Sequence, residues 1–291
     1  MSITPRNPYV VPLPGGRTLA LGERTLVMGI VNVTPDSFAE SSHRVNPTAA
    51  VDFALQMEAE GADLVDIGGE SARPGAQPVS AEEELARVLP VVRGLAGRLR
   101  IPISVDTYKA EVARAAIDAG AAIVNDISGV RYDPALARVA AEGHAALVLM
   151  HMRGRPATMY AEAVYQDVMV EVADELRASI ARATAAGVAP SAVIVDPGIG
   201  FAKRPAHSYG VLARSSELAA ALDRPVLVGP SRKSFLSDAL GGRPATQRDW
   251  GTAAAVTAAV LGGAHIVRVH AVAEMVQAVR VAEEIRRGGT H

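Results

Sequence analysis

The sequence predicts an α/β chain folded as a single (β/α)8 TIM barrel with a short N-terminal β-ribbon. Three observations carry that prediction. Eight short runs rich in Val and Ile recur along the 291 residues, each followed by a longer amphipathic or Ala-rich stretch of helical length. The runs are apolar throughout rather than alternating, as expected of strands buried on both faces of a parallel sheet. No linker-like gap breaks the alternation, which favours one closed barrel over an open, doubly wound sheet.

The elements follow in order. Residues 1–24 form an N-terminal extension whose part from 8 to 24 reads as a ribbon covering the barrel's bottom, and residues 25–291 form the barrel. Strands are expected at 25–33, 62–70, 101–107, 122–128, 145–152, 193–198, 225–231 and 264–270. Asn46 before Pro47 is a helix start, since proline suits the first helical position and asparagine caps it. Ser80 and Glu83 have the spacing of a capping box. Gly61, Gly120, Gly143 and Gly187 each fall between an Ala-rich stretch and a strand, where a helix commonly ends on glycine.

Composition narrows the function. Hydrophobic residues make up 49% of the chain and aromatics only 4%, so the core is aliphatic. A formal charge of -2 offers no broad basic face for nucleic acid or an anionic membrane. Any anionic substrate must be caught by a local constellation. The absence of cysteine excludes disulfides, thiolate metal sites and cysteine nucleophiles. Apolar stretches reach only about 10 residues against the roughly 20 that a spanning helix needs. The opening M-S-I-T-P-R-N-P lacks a basic segment followed by an apolar one, so a soluble cytoplasmic protein is expected.

Polar side chains collect at the strand ends, where barrels of this class keep their chemistry. In order these are Asn32, Glu70, Asp106, Asn125 with Asp126, His151, Asp196, Ser231 to Lys233, and Arg268 with His270. One such residue usually caps a helix or ties down a loop, but so many at one mouth point to a site. Asp106, Asn125, Asp196 and Lys233 suit the edge of a planar heterocycle with amino, ring N–H and carbonyl groups, because a carboxylate against a cyclic guanidine makes two parallel bonds. Lys233 also reads as a Schiff-base lysine, although neighbouring carboxylates should keep its amine protonated. Arg268 and His270 lie two apart on a strand and point the same way. With no acid in V-R-V-H-A to pair with, they suit an anion such as phosphate, although His270 alone equally reads as a buried structural histidine. The amide oxygen of Asn32 is a hard ligand suited to Mg2+ bridging phosphate oxygens.

The motifs around these residues closely resemble those of the dihydropteroate synthase family. They are G-I-V-N-V-T-P-D-S-F (29–38), V-D-I-G-G-E-S-A-R-P-G-A (65–76), S-V-D-T-Y-K (104–109), N-D-I-S-G (125–129), M-H-M-R-G (150–154), D-P-G-I-G-F-A-K (196–203), S-R-K-S-F (231–235) and R-V-H (268–270). The resemblance runs from about residue 25 to the end and touches all eight strand ends. It implies condensation of 6-hydroxymethyl-7,8-dihydropterin diphosphate with p-aminobenzoate, giving 7,8-dihydropteroate and diphosphate with Mg2+, in folate biosynthesis. It further implies a pterin pocket of Asp106, Asn125, Asp196 and Lys233, and a diphosphate and metal grip of Asn32, Arg268 and His270. Phe38, Arg73, Pro74, Phe201 and Ser234 match positions of the p-aminobenzoate pocket, and a homodimer is implied, through the Ala-rich helices at 249–262 and 271–287. The implied mechanism is SN1-like, with Asp106 and Asp196 stabilising a methylene cation, so no nucleophilic side chain is needed.

Several positions depart from the family's pattern. Ala72 stands where a threonine is usual, A-E-S-S (39–42) replaces Ser-Asp-Gly-Gly, and Ala271 replaces a common aspartate. These changes touch the p-aminobenzoate loops and leave the pterin floor intact, so they bear on p-aminobenzoate affinity and sulfonamide sensitivity. Rival expectations are a methyltetrahydrofolate methyltransferase domain of the same superfamily, which needs no diphosphate grip, and a non-catalytic pterin-binding paralogue, which should have lost Asn32, Arg268 or His270. A phosphosugar lyase or isomerase barrel using Lys233 is a third.

Overall fold

The structure, a computed structural model, describes residues 5–34, 46–73 and 75–289. Two strands, β1 (Tyr9–Pro12) and β2 (Thr18–Leu21), pair antiparallel as the expected ribbon. Eight more follow: β3 (Leu26–Asn32), β4 (Leu64–Gly68), β5 (Ile103–Asp106), β6 (Ile123–Asp126), β7 (Ala146–Met150), β8 (Val193–Asp196), β9 (Leu227–Val228) and β10 (Ile266–Val269). They form one parallel sheet in the order β8-β7-β6-β5-β4-β3-β10-β9. A parallel bridge between Val195 and Val226 joins the two outer strands and rounds the sheet into a barrel. Each strand lies inside its expected run and all eight are shorter, because the run continues into the turns that flank it.

Helices fill the connections, and their start signals act as the residue types predict. Asn46 Oδ1 accepts the Ala49 N–H at 3.1 Å above the helix Pro47–Ala59. Ser80 Oγ accepts the Glu83 N–H at 3.1 Å at the start of Ala81–Leu95. Only half of the capping box forms there, because the Glu83 carboxylate turns to Arg87 one helical turn along. Gly61, Gly120 and Gly187 take the left-handed conformation after their helices, while at 143 the left-handed residue is the next one, His144. The β8 connection carries two helices, Pro205–Ala213 and Ser215–Leu222.

Strand parity sets what the barrel interior contains. Side chains two apart on a strand share a face. Met28, Leu64, Ile123, Val148, Ile194 and Ile266 point inward and pack with Val11, Leu13, Leu19 and Leu21 of the ribbon into one buried cluster. The ribbon therefore stoppers the bottom with aliphatic side chains, each stabilising the fold by roughly 1.5–3 kcal/mol through burial. One pleat higher on the same strands stand Ile30, Asp66, Asn125, Asp196 and Arg268. The inward face is thus apolar below and polar above, and the polar layer is the floor of the mouth. Among the described residues no helix is long and apolar enough to cross a membrane.

His265, just before β10, fastens the N-terminal segment to this frame. Its Nδ1 accepts the Val226 N–H at 3.1 Å, which places the ring proton on Nε2, 3.0 Å from the Asn7 carbonyl. Burial pushes its pKa down to about 4. The folded state therefore resists a proton that the unfolded chain takes up near pH 6.5. Stability should fall as pH drops from about 6.5 toward 4. Urea midpoints measured across that window should show a shallower fall for His265→Gln, whose amide keeps both bonds and does not titrate; an unchanged slope would refute this assignment.

Candidate active site

The strand ends and following loops enclose an open cleft of about 1390 Å³, counted out to the solvent at its mouth. Asn32, Arg73, Asp106, Asn125, Asp196, Phe201, Lys233, Ser234, Arg268 and His270 all line it. The fold thus brings together ten of the twelve residues assigned to the pterin, diphosphate and p-aminobenzoate sites. Phe38 and Pro74 lie outside the described residues, as do 39–42. Of the other strand-end residues, Glu70, Ser231 and Arg232 also line the cleft, whereas Asp126 and His151 do not.

The floor is one charged network. Arg268 Nε donates to Asp66 Oδ2 at 2.6 Å, and its Nη2 donates to Asp106 Oδ2 at 2.8 Å. Asn125 Nδ2 donates to the same Asp66 oxygen at 2.8 Å. The reading of Arg268 as lacking an acidic partner therefore needs correction. Its own strand has none, but β4 and β5, two and three strands away around the barrel, supply Asp66 and Asp106, and Asp66, though inside the 65–76 motif, was not singled out from the sequence. Asp66 was legible as a lone carboxylate inside an apolar run, on the inward parity of Gly68. Arg268 Nη1 has no acceptor among the described residues, so part of the guanidinium still faces the cleft.

Burial is the largest influence on Asp106 and pushes its carboxyl up, Arg268 draws it back, and Asp66 pushes it up again. Burial also raises Asp196, against the pull of Lys233. Asp196 Oδ1 accepts the Gly198 N–H at 2.7 Å, which aims the other oxygen at the cleft. Lys233 Nζ donates to the Ile199 carbonyl at 2.6 Å and sits 4.4 Å from the centre of the Phe201 ring. Burial lowers it to about 8 despite Asp196, so the expected protonation survives at pH 7 with little margin.

His270 is neutral. Burial, then the Arg268 and Arg232 charges, hold it down to about 3. Its Nδ1 lies 2.9 Å from Ser231 Oγ, which also accepts the His270 N–H at 3.2 Å. With the hydroxyl proton on Nδ1, the imidazole presents Nε2–H as a donor. Arg232 is committed elsewhere, to both Asp249 oxygens at 2.7 and 2.8 Å.

Two anchors hold the loops that carry the outer residues. Glu70 accepts from Tyr108 at 2.8 Å, Lys109 at 2.6 Å and the Val79 N–H at 3.1 Å, fixing the root of the loop that bears Arg73. Lys109 also bonds Glu84, which is buried. Ala72 on this loop packs beside an apolar cluster of Ile127, Met150, Met152 and Met159, so a methyl meets apolar surface where the family carries a hydroxyl.

The second anchor was missed by sequence reading. Lys203 is 1% exposed and its Nζ lies 2.8 Å from His151 Nδ1 and 3.2 Å from the Phe201 carbonyl. Burial lowers Lys203 to about 7 and, with the Lys203 charge, lowers His151 to about 3, so the imidazole is neutral and its Nε2–H faces Glu175 at 3.1 Å. The chain Lys203–His151–Glu175 ties the Phe201 loop to β7. Gly198 lets that loop pass: at φ +68, a Cβ there would fall 1.9 Å from the His151 carbonyl oxygen.

Fold and floor together define a (β/α)8 enzyme built to hold the polar edge of a flat heterocycle, and the model of the pterin binding enzyme family matches residues 28–270. A dihydropteroate synthase of Synechocystis is 46% identical over 277 residues, 95% of this chain and 96% of its own length. A crystal structure of Yersinia pestis dihydropteroate synthase with a sulfonamide drug superposes with a TM-score of 0.88 at 43% identity, covering 94% of this chain and 98% of that one. That of Burkholderia cenocepacia complexed with 7,8-dihydropteroate gives 0.86 at 43%, covering 97% and 98%. The chain belongs to the pterin binding enzymes, among the dihydropteroate synthases.

Proposed function

We propose that this transferase condenses 6-hydroxymethyl-7,8-dihydropterin diphosphate with p-aminobenzoate, and that the floor network does most of the catalysis. Two observations support that reading: the donor–acceptor floor fits a pterin edge, and buried carboxyl groups stand beside it. Asp66, Asp106 and Asp196 lie among Arg268, Lys233 and Lys203, with Asp106 raised to about 7. A carboxylate fixed in a buried floor favours a developing cation. We assign Asp106 and Asp196 to stabilising the methylene cation left when the C–O bond to diphosphate breaks. Asn125 and Lys233 hold the ring, while Arg73, Phe201 and Ser234, with Phe38 and Pro74, position p-aminobenzoate and exclude water. The amino nitrogen then forms the new C–N bond and sheds its proton.

The same carboxylates oppose a diphosphate, which is why a divalent cation belongs in the reading. Among the described residues no group of three or more His, Asp or Glu side chains could hold a metal. Asn32 would hold such an ion as one hard oxygen ligand among substrate and water oxygens, a donor set that suits Mg2+. When bound, Mg2+ would supply counter-charge to the leaving diphosphate. Arg268 Nη1 and His270 Nε2–H would bond the remaining phosphate oxygens. Retention of Asn32, Arg268 and His270 in one cleft also weighs against the non-catalytic paralogue and the methyltransferase.

Diphosphate release should require both substrates, yield 7,8-dihydropteroate and fall on chelation of Mg2+. Asp106→Asn should lower kcat by at least about 100-fold while its thermal midpoint stays close to that of the parent. Wild-type turnover in that variant, or a pterin that binds without reacting, would refute the assignment.

Lys233 sets a second expectation. Held down to about 8 by burial, its ammonium is lost as pH rises through that value, so kcat/KM should fall above about pH 8. Lys233→Arg, which stays protonated, should remove this limb whatever its own rate. A limb that persists in the arginine variant would clear Lys233 of the role.

We also propose a homodimer through the helices Asp249–Leu261 and Val272–Gly288, which leave Trp250, Val281 and Ile285 exposed. Sedimentation should report about twice the 30.2 kDa chain mass, and a monomer that keeps full activity would reject this.

A further inference from the structure

Asp66 is fully buried, and no part of it reaches the cleft. Its Oδ2 accepts from both Asn125 Nδ2 and Arg268 Nε, at 2.8 and 2.6 Å. Its Oδ1 is buried without a donor among the described residues. A carboxylate so placed is a poor way to hold a barrel together, since removing a charge from water costs several kcal/mol that one incomplete network hardly recovers. An amide or apolar side chain would pack there with less penalty. A charge retained under those conditions points to a task beyond packing.

That task follows from the inventory of the Asn125 side chain. An amide has a donor end and an acceptor end, and the neighbours decide which end faces the ligand. A carboxylate paired with a guanidinium only accepts, so it draws the NH2 of Asn125 down into the floor. The Asn125 Oδ1 is left without a protein donor among the described residues, on a side chain that lines the cleft. We propose that Asp66 is a positioning and specificity-determining residue, which locks Asn125 with its carbonyl oxygen toward the ligand so that the site demands an N–H there. The inference rests on the cleft being the pterin site, where that N–H is the ring's 2-amino group. The same carboxylate aims the Arg268 guanidinium, so orientation of the ring edge and of the leaving-group grip share one anchor.

The consequence is a change of selectivity rather than a general loss. In Asp66→Leu the shared acceptor is gone, so the Asn125 amide can turn over and present its NH2 to the cleft; Asp66→Asn, whose amide oxygen can take the Oδ2 place and accept from both Asn125 and Arg268, should keep the lock. The Asp66→Leu site would then favour a ligand whose group at that position accepts. Binding of 6-hydroxymethylpterin, with its 2-amino donor, and 6-hydroxymethyllumazine, with a carbonyl there, should be measured by calorimetry on wild type and both variants. Wild type and Asp66→Asn should prefer the pterin, and Asp66→Leu should reduce that preference at least tenfold, raising KM for the pterin substrate while KM for p-aminobenzoate holds. Equal loss of both ligands in Asp66→Leu, or an unchanged ratio there, overturns the proposal and leaves the pterin reading standing. A wild-type chain that binds neither ligand overturns both. Neutron diffraction from the wild-type protein gives a measurement that does not depend on the variant folding: deuterons of the Asn125 amide directed at Asp66 support the lock, and deuterons directed into the cleft refute it.

Discussion

The Arg268 guanidinium, gripped between Asp66 and Asp106, is the contact on which the mouth of the barrel depends. Through it and the Asn125 amide, strands β10, β4, β5 and β6 are joined by side chains one pleat above the apolar filling. Such a network is not a large source of net stability, because desolvation of the charges offsets much of their attraction. Its effect is on position. Replacing any one partner by an apolar side chain leaves another buried and uncompensated, at about 3–5 kcal/mol, so the four side chains hold one arrangement.

Burial acts on the carboxyl groups of that arrangement and organises the rest of the site. It raises Asp106 and Asp196, Arg268 and Lys233 draw them back, and both cations stay charged at neutral pH. On the proposed mechanism such a floor suits a flat ring that gains positive charge and repels the diphosphate attached to it, so departure of the leaving group relieves the repulsion and meets the need of the cation in one step. His270 contributes as a neutral donor, which the surrounding arginines and its burial enforce.

The loops are organised separately from the floor. Glu70, fixed by Tyr108 and Lys109, roots one, and Lys203 through His151 roots another. Each anchor lies at or just past a strand end, so the outer residues Arg73 and Phe201 hang from rigid points. The unusual Ala72 falls between anchor and Arg73, against apolar surface and away from the floor contacts.

Sequence alone determined the architecture and most of the site. Continuous apolar runs at regular intervals can only be satisfied by strands covered on both faces, and the parity of a strand places Asp106, Asn125, Asp196 and Arg268 inward at its end. Residue type likewise foretold the caps at Asn46 and Ser80, since those bonds are local. Partnerships across strands were decided only by the tertiary structure. Nothing near Arg268 in the chain reveals Asp66, 202 residues away, because registry between barrel strands depends on closure of the whole sheet. Burial had the same effect on charge. The values of Lys233, Lys203, His151, His265 and His270 follow first from how much water the fold removes around them, and no local sequence contains that quantity.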